Sequence, residues 1–205
     1  MRQRATPGIV GVLLTAGHSR RFGSDKLLHV LPDGRVMALA ALEALTASCD
    51  EVVAVLRPAQ QALMEILVRR NIRVIVSAEA TLGMGHSIAA AVAASANARG
   101  WIVGLGDMPH VRAETAARVV AALRDGASIA VPAHGGRRGH PVGFSSEWRD
   151  HLLQLHGDVG ARAILTRFAE KVSEVGVDDP GVLLDIDLAT DQVASDEDPS
   201  NSRGP

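Results

Sequence analysis

The residues with the most chemical capacity crowd into one stretch, Leu13-Leu14-Thr15-Ala16-Gly17-His18-Ser19-Arg20-Arg21-Phe22-Gly23-Ser24-Asp25-Lys26, at the end of the apolar run GIVGVLL at 8–14. Glycines let backbone N–H groups approach anionic oxygens, while two arginine forks and a lysine ammonium can balance the charge. Such a loop can wrap a triphosphate. Read without a ligand, the same residues make a surface loop with solvated arginines. The loop is not of the Walker A type, because Gly17 and Gly23 enclose five residues and Lys26 follows three later with no Ser or Thr behind it. The first turn also lacks the Gly-x-Gly-x-x-Gly fingerprint of dinucleotide sites. Lys26 is one of only two lysines among 21 basic residues. A compact ammonium can follow a phosphate whose geometry changes better than a planar guanidinium can.

Three further segments carry chemistry. Thr81-Leu82-Gly83-Met84-Gly85-His86-Ser87 leads into a helical pattern. Glycines before a helix N-terminus suit close approach of a ligand, and they suit an ordinary strand-to-helix turn equally well. Gly106-Asp107-Met108-Pro109 follows the apolar run WIVGL and sets a carboxylate at a strand's carboxyl end, facing the loop of Arg21 and Lys26. Beside a triphosphate that carboxylate needs a cation, and Mg2+ is normally held by one or two carboxylates with phosphate oxygens and water. The competing role for Asp107 is N-cap of a helix starting near 111. The third segment combines Arg138-Gly139-His140-Pro141 with Leu184-Asp185-Ile186-Asp187.

Other chemistries find little support. Eight histidines include His110, His134 and His140, but no HExxH or comparable helical pair, so a transition-metal site is not expected. His134 and His151 read as solvated. No Gly-x-Ser-x-Gly elbow marks a serine hydrolase. Lys171, within Ala169-Glu170-Lys171, reads as an exposed helix-end cation.

These residues need elements to position them. Runs at 8–14, 51–56, 72–76, 101–105 and 128–131 are short, continuous and rich in Val, Ile and Leu, as strands covered on both faces are. Between them, 36–48, 58–70, 85–98 and 111–124 have helical spacing, with Pro58 placed in a first turn. The alternation predicts an α/β, Rossmann-like, doubly wound and mostly parallel sheet, whose ligands gather at the carboxyl ends of the strands. The last third predicts a strand at 141–144, helices at 145–154 and from about 159 after the cap Asp158, and short strands near 172–177 and 182–186.

Composition narrows the class. A net charge of −2, with three Phe, two Trp and no Tyr, argues against a nucleic-acid surface. The lone Cys49 excludes an intramolecular disulfide and a cysteine zinc cluster, consistent with a reducing cytoplasm. No stretch approaches the roughly 18 apolar residues of a membrane span. Arg2 and Arg4 before the apolar run have the charge pattern of a signal peptide, but that run reads better as the first strand of a fold whose loop follows at once. We expect one domain over 1–194 and a polar, disordered tail over 195–205.

The first loop resembles the signature of the molybdenum cofactor nucleotidyltransferases: roughly Leu-Ala-(Ala or Gly)-Gly, three variable residues, Arg-Met-Gly, then Lys. Thr15 and Phe22 depart from it. The other segments extend the resemblance to about residue 194, and Gly139-His140-Pro141 is similar to the triplet of the cytidylyl-transferring branch. The resemblance implies a single nucleotide-diphospho-sugar transferase-type domain. It implies nucleotide contacts by Ala16, Gly17, His18, Ser19, Gly83, Met84, Gly85 and Ser87, and acceptor contacts by Gly139, His140 and Pro141. Mg2+ falls to Asp107 and Asp187, with Asp185 behind them; catalytic charge balance falls to Arg21, Lys26 and Asp107. The family usually continues with Thr-Pro where Leu188-Ala189 follows Asp187 here. Guanylyl-transferring relatives tend to have Gly at the position of Ala16, whose methyl leaves less room for a purine, so the implied reaction is cytidylyl transfer from CTP to molybdopterin with release of pyrophosphate. The implied partners are those two substrates, with transient contact to a molybdenum hydroxylase or its chaperone. Guanylyl transfer, an NAD(P)H-dependent oxidoreductase acting on an N-heterocyclic pigment, and a non-enzymatic cofactor carrier or chaperone remain as alternatives.

Overall fold

All five continuous apolar runs form strands: β1 (Ile9–Leu14), β2 (Glu51–Leu56), β3 (Arg73–Val76), β4 (Gly100–Leu105) and β5 (Ile129–His134). The computed structural model describes residues 8–15, 26–158 and 160–186. Loop residues 16–25, Asp187 and the expected tail at 195–205 lie outside them. The remaining strands are β6 (Arg137–Arg138), β7 (Val142–Ser145) and β8 (Val172–Gly176). The helices are α1 (Met37–Thr46), α2 (Gln61–Arg69), α3 (Met84–Ala94), α4 (Ala113–Arg124), α5 (Arg149–Leu153) and α6 (Arg162–Arg167).

The strand order is β3-β2-β1-β4-β7-β5-β6, with β8 also paired to β5. β1 lies parallel between β2 and β4, so its apolar run is covered on both faces. Alternation decides which core each residue joins. Ile9 and Leu13 pack with α1, α2 and α4, while Val10, Val12 and Leu14 pack with α3, α5 and the β7 residue Phe144. Helices thus cover both faces, and the doubly wound architecture expected from the sequence is present.

The antiparallel strand β7 is wedged between β4 and β5. β6 and β7 are two pieces of one returning strand. Ala133 opposes Arg138 and Ala130 opposes Gly143, so two extra residues are accommodated between them. The displaced segment is Gly139-His140-Pro141, and a bulge of this kind re-aims side chains at the rim of a sheet.

Several sequence expectations need correction. No strand forms at 182–186: Pro180–Leu183 is a 3-10 turn whose Gly181 N–H is held by the Asp179 side chain at 3.0 Å, and the chain leaves it through the extended Leu184 without joining the sheet. Asp158 is not a cap, because a turn through Gly160 at φ 55° delays α6 until Arg162. Pro58 precedes α2 rather than opening it, since the Gln60 side chain accepts the Arg57 N–H at 2.9 Å and closes a turn first. Ser145 ends β7, so the helix expected from 145 begins as a 3-10 turn at Ser146.

Candidate active site

The exits of β1, β2 and β4 are tied together by polar contacts. Thr15 is buried, and its hydroxyl donates to the Val55 carbonyl at 2.6 Å. The Gln60 amide donates to the Thr15 carbonyl at 3.0 Å. Thr15, a departure from the signature, therefore clamps the start of the Gly and Arg loop to β2. On the other side, Gly106 N–H donates to the Leu14 carbonyl at 2.9 Å and fixes the turn that carries Asp107 next to the end of β1.

Asp107 and Lys26 meet there, with Nζ 3.3 Å from Oδ2. The pair sits at the rim, with side chains 33% and 15% exposed respectively. Asp107 does not cap α4, which begins at Ala113 behind the N-cap Arg112; Asp179 steadies that entry by accepting the Arg112 N–H at 2.9 Å and the Thr115 hydroxyl at 2.6 Å. The N-cap reading of Asp107 is thereby corrected. The Ile186 N–H donates to the Asp107 carbonyl at 2.9 Å, which returns the chain to Asp107 one residue before Asp187. Asp187, Ala16, Gly17, His18, Ser19 and Arg21 lie outside the described residues. Asp185 is exposed.

His140 projects from the β6–β7 bulge beside the β4 exit. Its N–H donates to the Val182 carbonyl at 2.9 Å, and Gly139 lies so close to that carbonyl that any Cβ would collide with it. Gly139 is thus explained by packing. Burial holds the His140 imidazole below its ordinary range, opposed by a hydrogen bond to the Val103 backbone and by the charge of Asp107. A small cleft opens here between α1 and β4, lined by Ala41, Ala44, Leu45, Met108, His140 and Pro141. His140 is its one strongly polar side chain.

The Gly83 segment is equally constrained. Gly83 has a φ of 134°, and a side chain there would strike the backbone of Gly157. Gly85 N–H donates to the Gly157 carbonyl at 2.8 Å, and Gly157 N–H donates to His86 Nδ1 at 3.2 Å. Close approach is real at Gly83 and Gly85, and the 156–158 segment is what approaches. Met84 is partly exposed and Ser87 is buried.

Among the described residues, three buried side-chain polar atoms have no hydrogen-bond partner: Arg57 Nε, Ser87 Oγ and His140 Nδ1. All three belong to the carboxyl edge of the sheet, at the β2 exit, the first turn of α3 and the entry to β7. Buried polar groups are rarely left unpaired, so such a concentration fits a surface completed by a ligand. Arg57 was missed in the sequence. Its signal is position alone: an arginine directly after EVVAVL, at a strand's carboxyl end.

No three His, Cys, Asp or Glu among the described residues form a metal cluster. His134 is not simply solvated, since its Nδ1 lies 3.2 Å from the Val177 carbonyl. His151 contacts the Trp148 and Phe168 rings. Lys171 is exposed at the end of a 3-10 turn, as expected. No helix among the described residues is long and apolar enough to cross a membrane.

A doubly wound sheet with Lys26 and Asp107 paired at its switch-point edge has the arrangement of nucleotide-binding α/β proteins. The chain belongs to the family described as the MobA-like NTP transferase domain, which matches residues 11–172, and it is a nucleotidyltransferase. It is 31% identical to purine catabolism protein PucB of Bacillus subtilis over 78% of this chain and 82% of that one. It is 30% identical to nicotine blue oxidoreductase of Paenarthrobacter nicotinovorans over 88% and 93%. The crystal structure of Rv0371c from Mycobacterium tuberculosis H37Rv matches with a TM-score of 0.75 and 28% identity, covering 87% of this chain and 94% of that one. A manganese complex of Rv0371c matches with a TM-score of 0.71 and 27% identity, over 83% and 88%.

Proposed function

We propose that the chain transfers the cytidylyl group of CTP to the phosphate of molybdopterin and releases pyrophosphate. The observation that carries this reading is the Lys26–Asp107 pair, 3.3 Å apart at the exit of β4. An acceptor phosphate is already largely ionised at neutral pH, so the chain needs no general base. Its task is to align acceptor and α-phosphorus and to balance charge as pyrophosphate leaves. Arg21 and the backbone of 17–19 take the β- and γ-phosphates, and Lys26 takes the α-phosphate. Arg57, with Nε unpaired at the β2 exit, adds a further donor. Gly83, Met84, Gly85 and Ser87 border the base, while His140 and Pro141 border the acceptor; a neutral His140 adds no charge there.

An all-oxygen donor pair, Asp107 with Asp187, fits Mg2+ better than a softer metal. When bound, the ion supplies Lewis-acid stabilisation of the charge that develops on the leaving group. The manganese complex of Rv0371c supports a divalent ion in this role. The methyl of Ala16 favours a pyrimidine over a purine. Product delivery implies a transient contact with a molybdenum hydroxylase or its chaperone.

The test is pyrophosphate release from each of the four nucleoside triphosphates with Mg2+ and molybdopterin. CTP should be preferred; preferred turnover of GTP would reassign the chain to guanylyl transfer. The 30% identity to nicotine blue oxidoreductase favours one second reading, a redox enzyme on this scaffold. NADPH oxidation with an N-heterocyclic acceptor, indifferent to Asp107→Ala, would select it.

A further inference from the structure

Lys26 and Asp107 are each other's ion-pair partner, and neither has a second one among the described residues. Their freedom differs. Asp107 is fixed through its backbone, by the Ile186 N–H on its carbonyl and by the neighbouring Gly106 N–H on Leu14. Lys26 opens a 3-10 turn anchored by the buried Leu27, and its long side chain can swing about that anchor. An ammonium and a divalent cation on one carboxylate repel each other strongly unless a further anion comes between them. A polyphosphate is such an anion, and it also offers the ammonium a new partner.

We infer that Lys26 is the resident counter-ion of Asp107 in the nucleotide-free protein and holds that carboxylate against a bare divalent metal until a nucleotide's phosphates draw the ammonium away. Metal and nucleotide then strengthen each other's binding by the same factor, as linkage requires. The inference rests on the metal-dependent transfer reading, and it assigns Lys26 a positioning role before any chemistry.

Mn2+ binding to the full chain, followed by loss of the free-ion electron paramagnetic resonance signal without nucleotide, tests it. Lys26→Gln should bind Mn2+ at least tenfold more tightly than wild type, whereas Lys26→Arg, which keeps the charge, should match wild type. Added CTP should tighten Mn2+ binding to wild type far more than to Lys26→Gln. Equal or weaker Mn2+ binding by Lys26→Gln, or an identical gain in Lys26→Arg, overturns the inference while leaving nucleotidyl transfer intact. Asp107→Asn separates the two ideas. If it leaves Mn2+ affinity unchanged in both the wild-type and Lys26→Gln backgrounds, the metal assignment itself fails and the inference falls with it.

Discussion

The two edges of the sheet treat their polar groups in opposite ways. At the amino edge, Asp50 accepts the Ile9 N–H at 2.7 Å and Arg124 at 3.0 and 3.1 Å. Nearby, Arg73 bridges Glu51 and the Ala94 carbonyl, and Trp101 Nε1 donates to Ser95 at 2.9 Å. At the carboxyl edge, Arg57, Ser87 and His140 each leave a buried atom unpaired, and Asp107 has a single ion-pair partner among the described residues. Among the described residues the amino edge leaves no buried side-chain polar atom unpaired, and its contacts serve stability. The carboxyl edge is left incomplete, and an unpaired buried donor or acceptor costs ~1–3 kcal/mol until something satisfies it. This is how a fold can be rigid yet ready to bind.

Substitutions at the two edges should therefore separate activity from stability. The largest effect is expected from Asp107→Asn, with turnover falling on the order of 10²–10³-fold, as for loss of a transition-state charge contact. Its melting temperature should stay near wild type, because the pair it breaks is at the rim; a large loss of stability would show Asp107 to be structural. Next, Arg57→Ala should weaken nucleotide binding about tenfold, or ~1.4 kcal/mol, by calorimetric titration. Unchanged affinity would place the nucleotide away from the β2 exit.

At the amino edge the signs reverse. Asp50→Asn should lower unfolding stability in urea by ~1 kcal/mol, a figure reduced because the Arg124 contact is solvent-exposed. Activity per folded molecule should not change, and a fall in it would show that the two edges are coupled. The smallest effect concerns pH. The folded His140 imidazole lies below its unfolded value, so on acidification the unfolded chain takes up that proton first. Its contribution is fully present above ~6.5 and is lost as pH falls from there, with a slope of at most about 1.4 kcal/mol per pH unit. Urea midpoints measured across this range should fall less steeply in His140→Asn than in wild type, and equal slopes would show that the ring titrates normally.

Much of the carboxyl edge was readable from motif and position. Asp107 and Lys26, 81 residues apart, both read as site residues from their places after apolar strands, whereas their direct contact is a fact of the fold. The Gly83 segment was legible as a place of close approach, but periodicity cannot tell a ligand from another stretch of backbone. Gly157 fills that space because α5 ends against α3, a contact that only the folded chain creates. Arg57 was overlooked for a related reason. Whether a guanidinium is solvated or stranded depends on neighbours far away in sequence.

The sequence by itself determined the alternation of apolar runs and helical patterns, hence a doubly wound sheet, and determined which edge collects the chemistry, because β1 and β4 both end in chemically loaded turns. Tertiary structure alone decided three things. It brought Asp179 to the entry of α4, which starts at Ala113 without help from Asp107. It bent the returning strand at Gly139–Pro141 so that His140 reaches the exit of β4. It left Lys26 as the counter-ion of Asp107 among the described residues. Local propensity records how each segment prefers to fold, but the partner of a polar group is fixed only when segments from opposite ends of the chain close on one another.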